Sequence, residues 1–180
     1  MKRFLGLDVG DKTLGVAVSD ELGLTAQGVT VHQRASLVAD MVFLRQMCAA
    51  YDVAAIVVGL PKNMDGSLGP QAQKTLAFIE RVRQACAVPV SAWVERLTTR
   101  AAERALLEAN TSRRRRKAVR DRVAAQFILQ SYLEWHSRHA SALPALPGQI
   151  PPLDEGFPPE NDTAEAESHE MRQPDPDQQR

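Results

Sequence analysis

The sequence predicts an α/β domain: a mixed five-stranded sheet, its first three strands antiparallel, with helices on both faces. Three observations predict it. Two runs of alternating apolar residues flank the turn Gly10-Asp11-Lys12-Thr13, and a third alternating run follows closely. The apolar period then changes from two to that of a helix. Finally, two short apolar runs come back separated by helical segments, the signature of strands joined by crossovers and therefore parallel.

The first hairpin comprises residues 3–9 and 14–19, with apolar residues at 5, 7, 9 and then at 14, 16, 18. Residues 25–32 alternate again and read as the third strand. Leu37, Met41, Leu44, Met47 and Cys48 recur at helical spacing behind Ser36, a good N-cap, and Tyr51-Asp52 closes that helix. Ala54–Val58 is wholly apolar, as expected of a strand buried on both faces, and Gly59-Leu60-Pro61 is expected to end it. The polar segment 62–70 reads as a loop, and 71–86 as a helix. Residues 88–94 read as the last strand, with Pro89 at its start. A helix capped by Thr98 or Thr99 is expected to carry Ala102, Ala105, Leu106 and Ala109 inward; a basic run precedes the final helix at 118–137. The order βββ-α-β-α-β-α-α packs as a layered sheet-and-helix domain.

The chain has 180 residues and zero formal net charge, but the charge is unevenly spread. Residues 141–180 hold nine acids against two bases, and eight of the eleven prolines. Such a segment buries too little apolar surface to offset the entropy of ordering it. The expected organisation is a folded domain over 1–140 and a disordered, proline-rich acidic tail over 141–180. The body is then left with twenty bases against thirteen acids, a balance that suits a polyanion as partner. Cys48 and Cys86 stand at no metal-ligand spacing and read as small apolar residues. His32, His136, His139 and His169 show no ligand spacing either and are expected to face solvent, while Trp93 and Trp135 are expected to pack. Charged residues at positions 2, 3, 8, 11 and 12 argue against a signal peptide, and no apolar run has the length of a membrane span. A cytoplasmic location is expected, with no membrane partner.

Asp8 sits inside the first hydrophobic strand, where an acid is costly unless its charge is matched. Glu95 directly follows the last strand. Asp121 lies on the final helix, on the stripe of Ala125, Ile128 and Tyr132, and so points toward the sheet. Strands one and five end at the same sheet edge when both run parallel to their neighbours. The three carboxylates then converge, and divalent cations relieve their repulsion. Oxygen-only donors suit Mg²⁺ or Mn²⁺, and a pair of such ions is the device of phosphodiester cleavage. Alone, each acid also fits a plain role: Asp8 in a turn, Glu95 as a cap or partner of Arg96, Asp121 as a first-turn helix acid. The set of three carries the catalytic reading, with Asp8, Glu95 and Asp121 as both metal ligands and catalytic acids.

Around that edge the sequence supplies cations. Arg113, Arg114, Arg115, Arg116 and Lys117 form an unbroken basic run, more than local acids can match. Such a run positions a phosphate backbone without reading sequence. Lys12 and Thr13 follow Asp8 closely, and Lys62, Asn63 and Arg96 lie in the loops after the two parallel strands; all are candidates for phosphate contact. Low aromatic content argues against a base-stacking platform for single strands.

Four blocks of residues resemble the YqgF/RuvX family. They are Gly6-Leu7-Asp8-Val9-Gly10 with Gly15–Asp20; Val57–Pro61 with Asn63–Ser67; Glu95-Arg96-Leu97-Thr98-Thr99 with Ala102-Glu103; and the basic run followed by Asp121, Ala124-Ala125, Ile128-Leu129-Gln130 and Tyr132-Leu133. They span about residues 3–135 in the family's order. The family is described as Holliday junction resolvases and as nucleases that mature the precursor of 16S ribosomal RNA. The resemblance implies an RNase H-like fold and Mg²⁺-dependent phosphodiester hydrolysis with Asp8, Glu95 and Asp121 as the acidic triad. It points most directly to processing of the 5′ end of the rRNA precursor in ribosome biogenesis, then to junction resolution in DNA recombination and repair. One position departs: the family usually carries Asp before the Glu of the third block, and here it is Val94. Strand alternation puts 94 and 95 on opposite faces and favours Glu95 as the ligand. A catalytically silent nucleic-acid-binding module is the alternative that Val94 keeps open. A kinase or ATPase of the actin–hexokinase type shares the strand and glycine turn, but needs a second domain that some 140 folded residues cannot supply. The expected assembly is a monomer or weak homodimer; a resolvase would need a two-fold dimer.

Overall fold

In a computed structural model of the chain, residues 3–63, 66–95 and 113–139 are described. Five strands form one sheet: β1 (Arg3–Val9), β2 (Thr13–Ser19), β3 (Ala26–Gln33), β4 (Val53–Pro61) and β5 (Val90–Glu95). Their spatial order is β3-β2-β1-β4-β5. β1 is antiparallel to β2, and β2 to β3; β4 is parallel to both β1 and β5. Helices α1 (Leu37–Ala50), α2 (Pro70–Ala85) and α3 (Arg113–His139) complete the described elements.

Strand alternation divides the core in two. Leu5, Leu7 and Val9 of β1, Leu14, Val16 and Val18 of β2, and Ile56, Val58 and Leu60 of β4 face α1 and α2, against Met41, Leu44, Phe78, Ile79 and Val82. The opposite face carries Ala17, Val57 and Trp93 and is covered by Ala125, Ile128, Leu129, Tyr132 and Leu133 of α3. The α3 face is built from small residues where the helix crosses. A Cβ at Gly6 would lie 2.6 Å from Leu129 Cβ, so the helix backbone sits closer to the sheet than side chains would permit.

The helix starts obey local chemistry. Ser36 caps α1, its hydroxyl accepting from Ala39 N at 3.2 Å. Pro70 opens α2 in the first turn, where its missing N–H is no loss. Two boundaries differ from the sequence reading. β4 does not stop before Gly59 but continues to Pro61, because β5 pairs with it that far, Leu60 opposite Val94 and Pro61 opposite Glu95. β1 pairs with β4 only to Val58, so the proline's absent donor interrupts no ladder on that side. The basic run does not precede the final helix but forms its first residues, since Arg and Lys are good helix formers.

The expected solvent-facing histidines are also corrected. His32 stacks on Phe43 at 4.2 Å and meets Asp40 at 3.1 Å; His136 lies against Phe4 and Tyr132, and His139 against Trp135. An imidazole gains apolar contact on its faces while its nitrogens keep partners. Trp93 packs as expected, its indole donating to Ser131 Oγ at 2.8 Å. Cys48 and Cys86 are free thiols in the α1–α2 core. No helix among the described residues is long and apolar enough to cross a membrane. The expected helix near 98–110, Arg96, His169 and the tail 141–180 lie outside the described residues.

Candidate active site

Asp8 lies on the α3 face of β1, between Leu7 and Val9, which face the other way. It pairs across the ladder with Gly15 of β2. That glycine is required by α3: a Cβ there would stand 1.9 Å from the main-chain oxygen of Asp121. The absence of a side chain at 15 therefore lets the α3 backbone settle on β2 and brings Asp121 to the level of Asp8. Asp121 is buried, 7% exposed. Thr13 Oγ1 donates to its Oδ2 at 2.7 Å, and Arg120 Nε stands 3.7 Å from its Oδ1.

The two carboxylates face a cleft of about 460 Å³ lined by Asp8, Gly10, Asp11, Lys12, Thr13, Arg120 and Asp121. Burial pushes the Asp8 carboxyl up from 3.8 to about 6; the nearby Asp121 charge pushes the same way, and Arg120 offsets part of it. Among the described residues Asp8 makes no hydrogen bond or ion pair, whereas Asp121 has both Thr13 and Arg120. Oxygen donors in a polar cleft, one of them unmatched, are a donor set for a hard divalent cation. No group of three His, Cys, Asp or Glu side chains that could hold a metal occurs among the described residues: Asp8 and Asp121 are the paired donors, and the exposed Asp11 at the rim meets Lys74.

The third candidate acid belongs to the edge strand. Glu95 is the last residue of β5, in register with Pro61 of β4. Since β1, β4 and β5 run parallel, Asp8 and Glu95 belong to strand ends at one edge of the sheet; the Glu95 side chain lies outside the described part. Val94 packs with the core on the α1–α2 side, the face opposite Asp8.

The remaining candidates divide. Thr13 and Lys12 are in the cleft, Lys12 exposed at its mouth. Lys62 and Asn63 are not in its lining. Asn63 instead closes its own loop: its amide donates to Ser67 Oγ at 2.9 Å, its N–H to Ser67 O, and its carbonyl accepts from Gly66 N. The backbone of Arg113–Lys117 leads along α3 into Arg120 and Asp121. Sequence reasoning missed Arg120 and Asp11. Arg120 had a signal, one residue before a singled-out acid and three after the basic run; Asp11, which meets Lys74 at 3.0 Å, had none beyond its turn.

Residues 2–135 match the family model RuvX, described as Holliday junction resolvase. A protein of Clostridium botulinum named "Putative pre-16S rRNA nuclease" is 51% identical over 132 residues, covering 73% of this chain and 96% of its own. One of Clostridium acetobutylicum with the same name is 53% identical over 131 residues, covering 73% and 97%. Among solved structures, Thermus thermophilus RuvC in complex with a Holliday junction substrate superposes with a TM-score of 0.51 at 15% identity, over 77% of this chain and 97% of that one. That likeness identifies the sheet and its helices as an RNase H-like fold. The family match covers most of the chain and all of the described elements but the last turn of α3, and the chain belongs to the RuvX family.

Proposed function

We propose that this protein is a Mg²⁺- or Mn²⁺-dependent nuclease that cleaves structured nucleic acid, its substrate being the 5′ end of precursor 16S rRNA in cytoplasmic ribosome biogenesis. The observation that carries the reading is the meeting of Asp8 and Asp121, over a hundred residues apart, in one cleft that also holds Lys12 and Arg120. The names borne by relatives at about half identity over nearly their full length support the substrate.

In this reading Asp8 and Asp121 hold the metal, and Glu95, at the same sheet edge, is the third acid. Bound there, Mg²⁺ or Mn²⁺ supplies Lewis-acid activation of water and neutralises charge on the phosphate. Thr13 fixes the Asp121 carboxylate by donating to one of its oxygens, while Arg120 stands by the other. Lys12 and Arg120 flank the acids and bind the phosphate oxygens on either side of the cleaved bond. The basic run Arg113–Lys117, with Arg96 and Lys62 as outlying contacts, holds the neighbouring backbone. Such contacts set position and salt dependence rather than sequence. Asn63 shapes the loop that carries Lys62. The acidic tail, 141–180, lies beyond the catalytic domain.

A second reading, resolution of four-way DNA junctions, is favoured by the description of the family model. The two separate in one assay. The full chain is incubated with precursor 16S rRNA fragments, RNA hairpins, linear duplexes and four-way junctions, with Mg²⁺ or Mn²⁺. Cleavage at the precursor 5′ end that is lost in Asp8→Asn, with nucleic-acid affinity kept within about threefold, is the expected result. Symmetric cutting of junctions alone supports the second reading, and undiminished cleavage by Asp8→Asn overturns the site assignment.

A further inference from the structure

The turn that carries the cleft is braced from behind by a network that the catalytic reading does not use. Gly10 N donates to Thr13 O at 2.9 Å, which closes the turn. Arg34, just after β3, holds it twice: its Nη1 donates to Gly10 O at 2.8 Å and its main-chain N to Lys12 O at 3.0 Å. The guanidinium is itself fixed. Its Nε donates to Asp40 Oδ2 at 2.8 Å, and its Cζ lies 4.8 Å from the centre of the Phe78 ring. Asp40 is 1% exposed, and its other oxygen meets His32. Gln71 of α2 adds a bond to Val9 O at 3.2 Å.

These contacts form a continuous path. It runs from Asp40 in α1 through Arg34 to the Gly10 carbonyl, across the closed turn to Thr13, and through the Thr13 hydroxyl to Asp121. A buried ion pair adds little net stability compared with apolar residues of the same size. A planar guanidinium anchored on one side by a carboxylate does fix the distance of a second acceptor on the other. Partners one step behind a metal ligand set its orientation.

Building on the nuclease reading, we infer that Arg34, locked by Asp40, is a positioning residue that sets the Gly10–Thr13 turn and, through Thr13, the carboxylate of Asp121. It touches neither substrate nor metal. Loss of its side chain loosens the metal-binding geometry, while Arg120 on α3 and the main-chain bond from residue 34 to Lys12 O stay in place.

The test is a cycle of Arg34→Met, Thr13→Val and the double variant in the full chain, with Arg34→Lys as a milder second probe. Each protein is confirmed folded by circular dichroism at the assay temperature. Two quantities are read: Mn²⁺ affinity by calorimetry, and kcat and KM for cleavage. Arg34→Met is expected to weaken Mn²⁺ binding and lower kcat by about tenfold or more, with KM for nucleic acid nearly unchanged. The double variant is expected to be no worse than the poorer single one, because both act through one path. Arg34→Lys, which keeps the charge but not the fork, is expected to show a smaller loss of Mn²⁺ affinity and kcat than Arg34→Met, and it carries the test against wild type if Arg34→Met does not fold. Mn²⁺ affinity unchanged in folded Arg34→Met or Arg34→Lys overturns the inference, as do multiplicative losses in the double variant. If the wild type cleaves nothing, the nuclease reading fails on its own, and the Mn²⁺ cycle still decides the role of Arg34.

Discussion

The turn between β1 and β2 has two sides, each with a withdrawn carboxylate, and the two carboxylates are treated in opposite ways. Behind the turn, Asp40 is matched on both oxygens, by Arg34 at 2.8 Å and His32 at 3.1 Å. In front of it, Asp8 has no hydrogen bond or ion pair among the described residues, and its carboxyl is pushed up to about 6. A carboxylate matched on both oxygens holds structure, and a half-buried one left unmatched waits for a ligand. Asp121 lies between the cases, oriented by Thr13 yet still facing the cleft.

Breaking the matched side gives the largest expected effect. Asp40→Asn keeps the shape but leaves the Arg34 guanidinium without its anionic partner, and removing one member of a buried pair costs about 3–5 kcal/mol. Urea unfolding at pH 7 checks it. A loss below about 1 kcal/mol, the worth of an exposed pair, would make Asp40 a surface-like carboxylate and erase the contrast with Asp8. The paired replacement Asp40→Leu with Arg34→Met is expected to regain much of the stability.

Acting on the unmatched side has the opposite sign. The folded-state value of Asp8, about 6, lies above its ordinary 3.8. Between those values the folded protein binds more protons than the unfolded chain, so the stabilising contribution is complete below about pH 4 and is lost as pH rises through about 6. With divalent ions chelated, Asp8→Asn is therefore expected to stabilise the protein at pH 7 by about 3 kcal/mol, and by progressively less toward pH 4. Thermal unfolding of both proteins across that range measures it. A variant less stable than wild type at pH 7 would mean that the Asp8 charge is already compensated.

How far the sequence discloses this architecture follows from which forces leave a local trace. Alternation at 5, 7, 9 and 14, 16, 18 is a local trace of burial, so the hairpin, the order of the described elements and the mixed sheet were legible. The stripe of Asp121 with Ala125, Ile128 and Tyr132 was legible for the same reason. Pairing partners leave no such trace. Nothing next to Pro61 shows that β5 will extend β4 past a glycine and a proline. The polar network behind the turn was equally hidden, since Arg34, Asp40 and His32 look like ordinary surface residues until β3 and α1 bring them together. Asn63 is a candidate for phosphate contact in the sequence, and its bonds to Ser67, which close its own loop, leave no local trace there.

The smallest expected effect tests the one family position that differs. Val94 is half-buried and packs with the α1–α2 core, while its neighbour Trp93 packs under α3 on the face of Asp8. A carboxylate at 94 would therefore enter apolar surroundings away from the cleft rather than join the metal ligands. Val94→Asp is expected to cost about 1 kcal/mol of stability, at the low end for an unpaired polar group because the site is only half-buried. The cleavage rate of the folded variant should stay within about twofold of wild type, as for any substitution that shares no partners with the site. Melting curves and steady-state cleavage on one substrate measure both. A large gain in rate would place position 94 in the catalytic machinery and move the site's third acid from Glu95 toward its neighbour. An unchanged rate with a small loss of stability leaves Glu95 as the acid that β5 delivers, and makes Val94 part of the wall behind it.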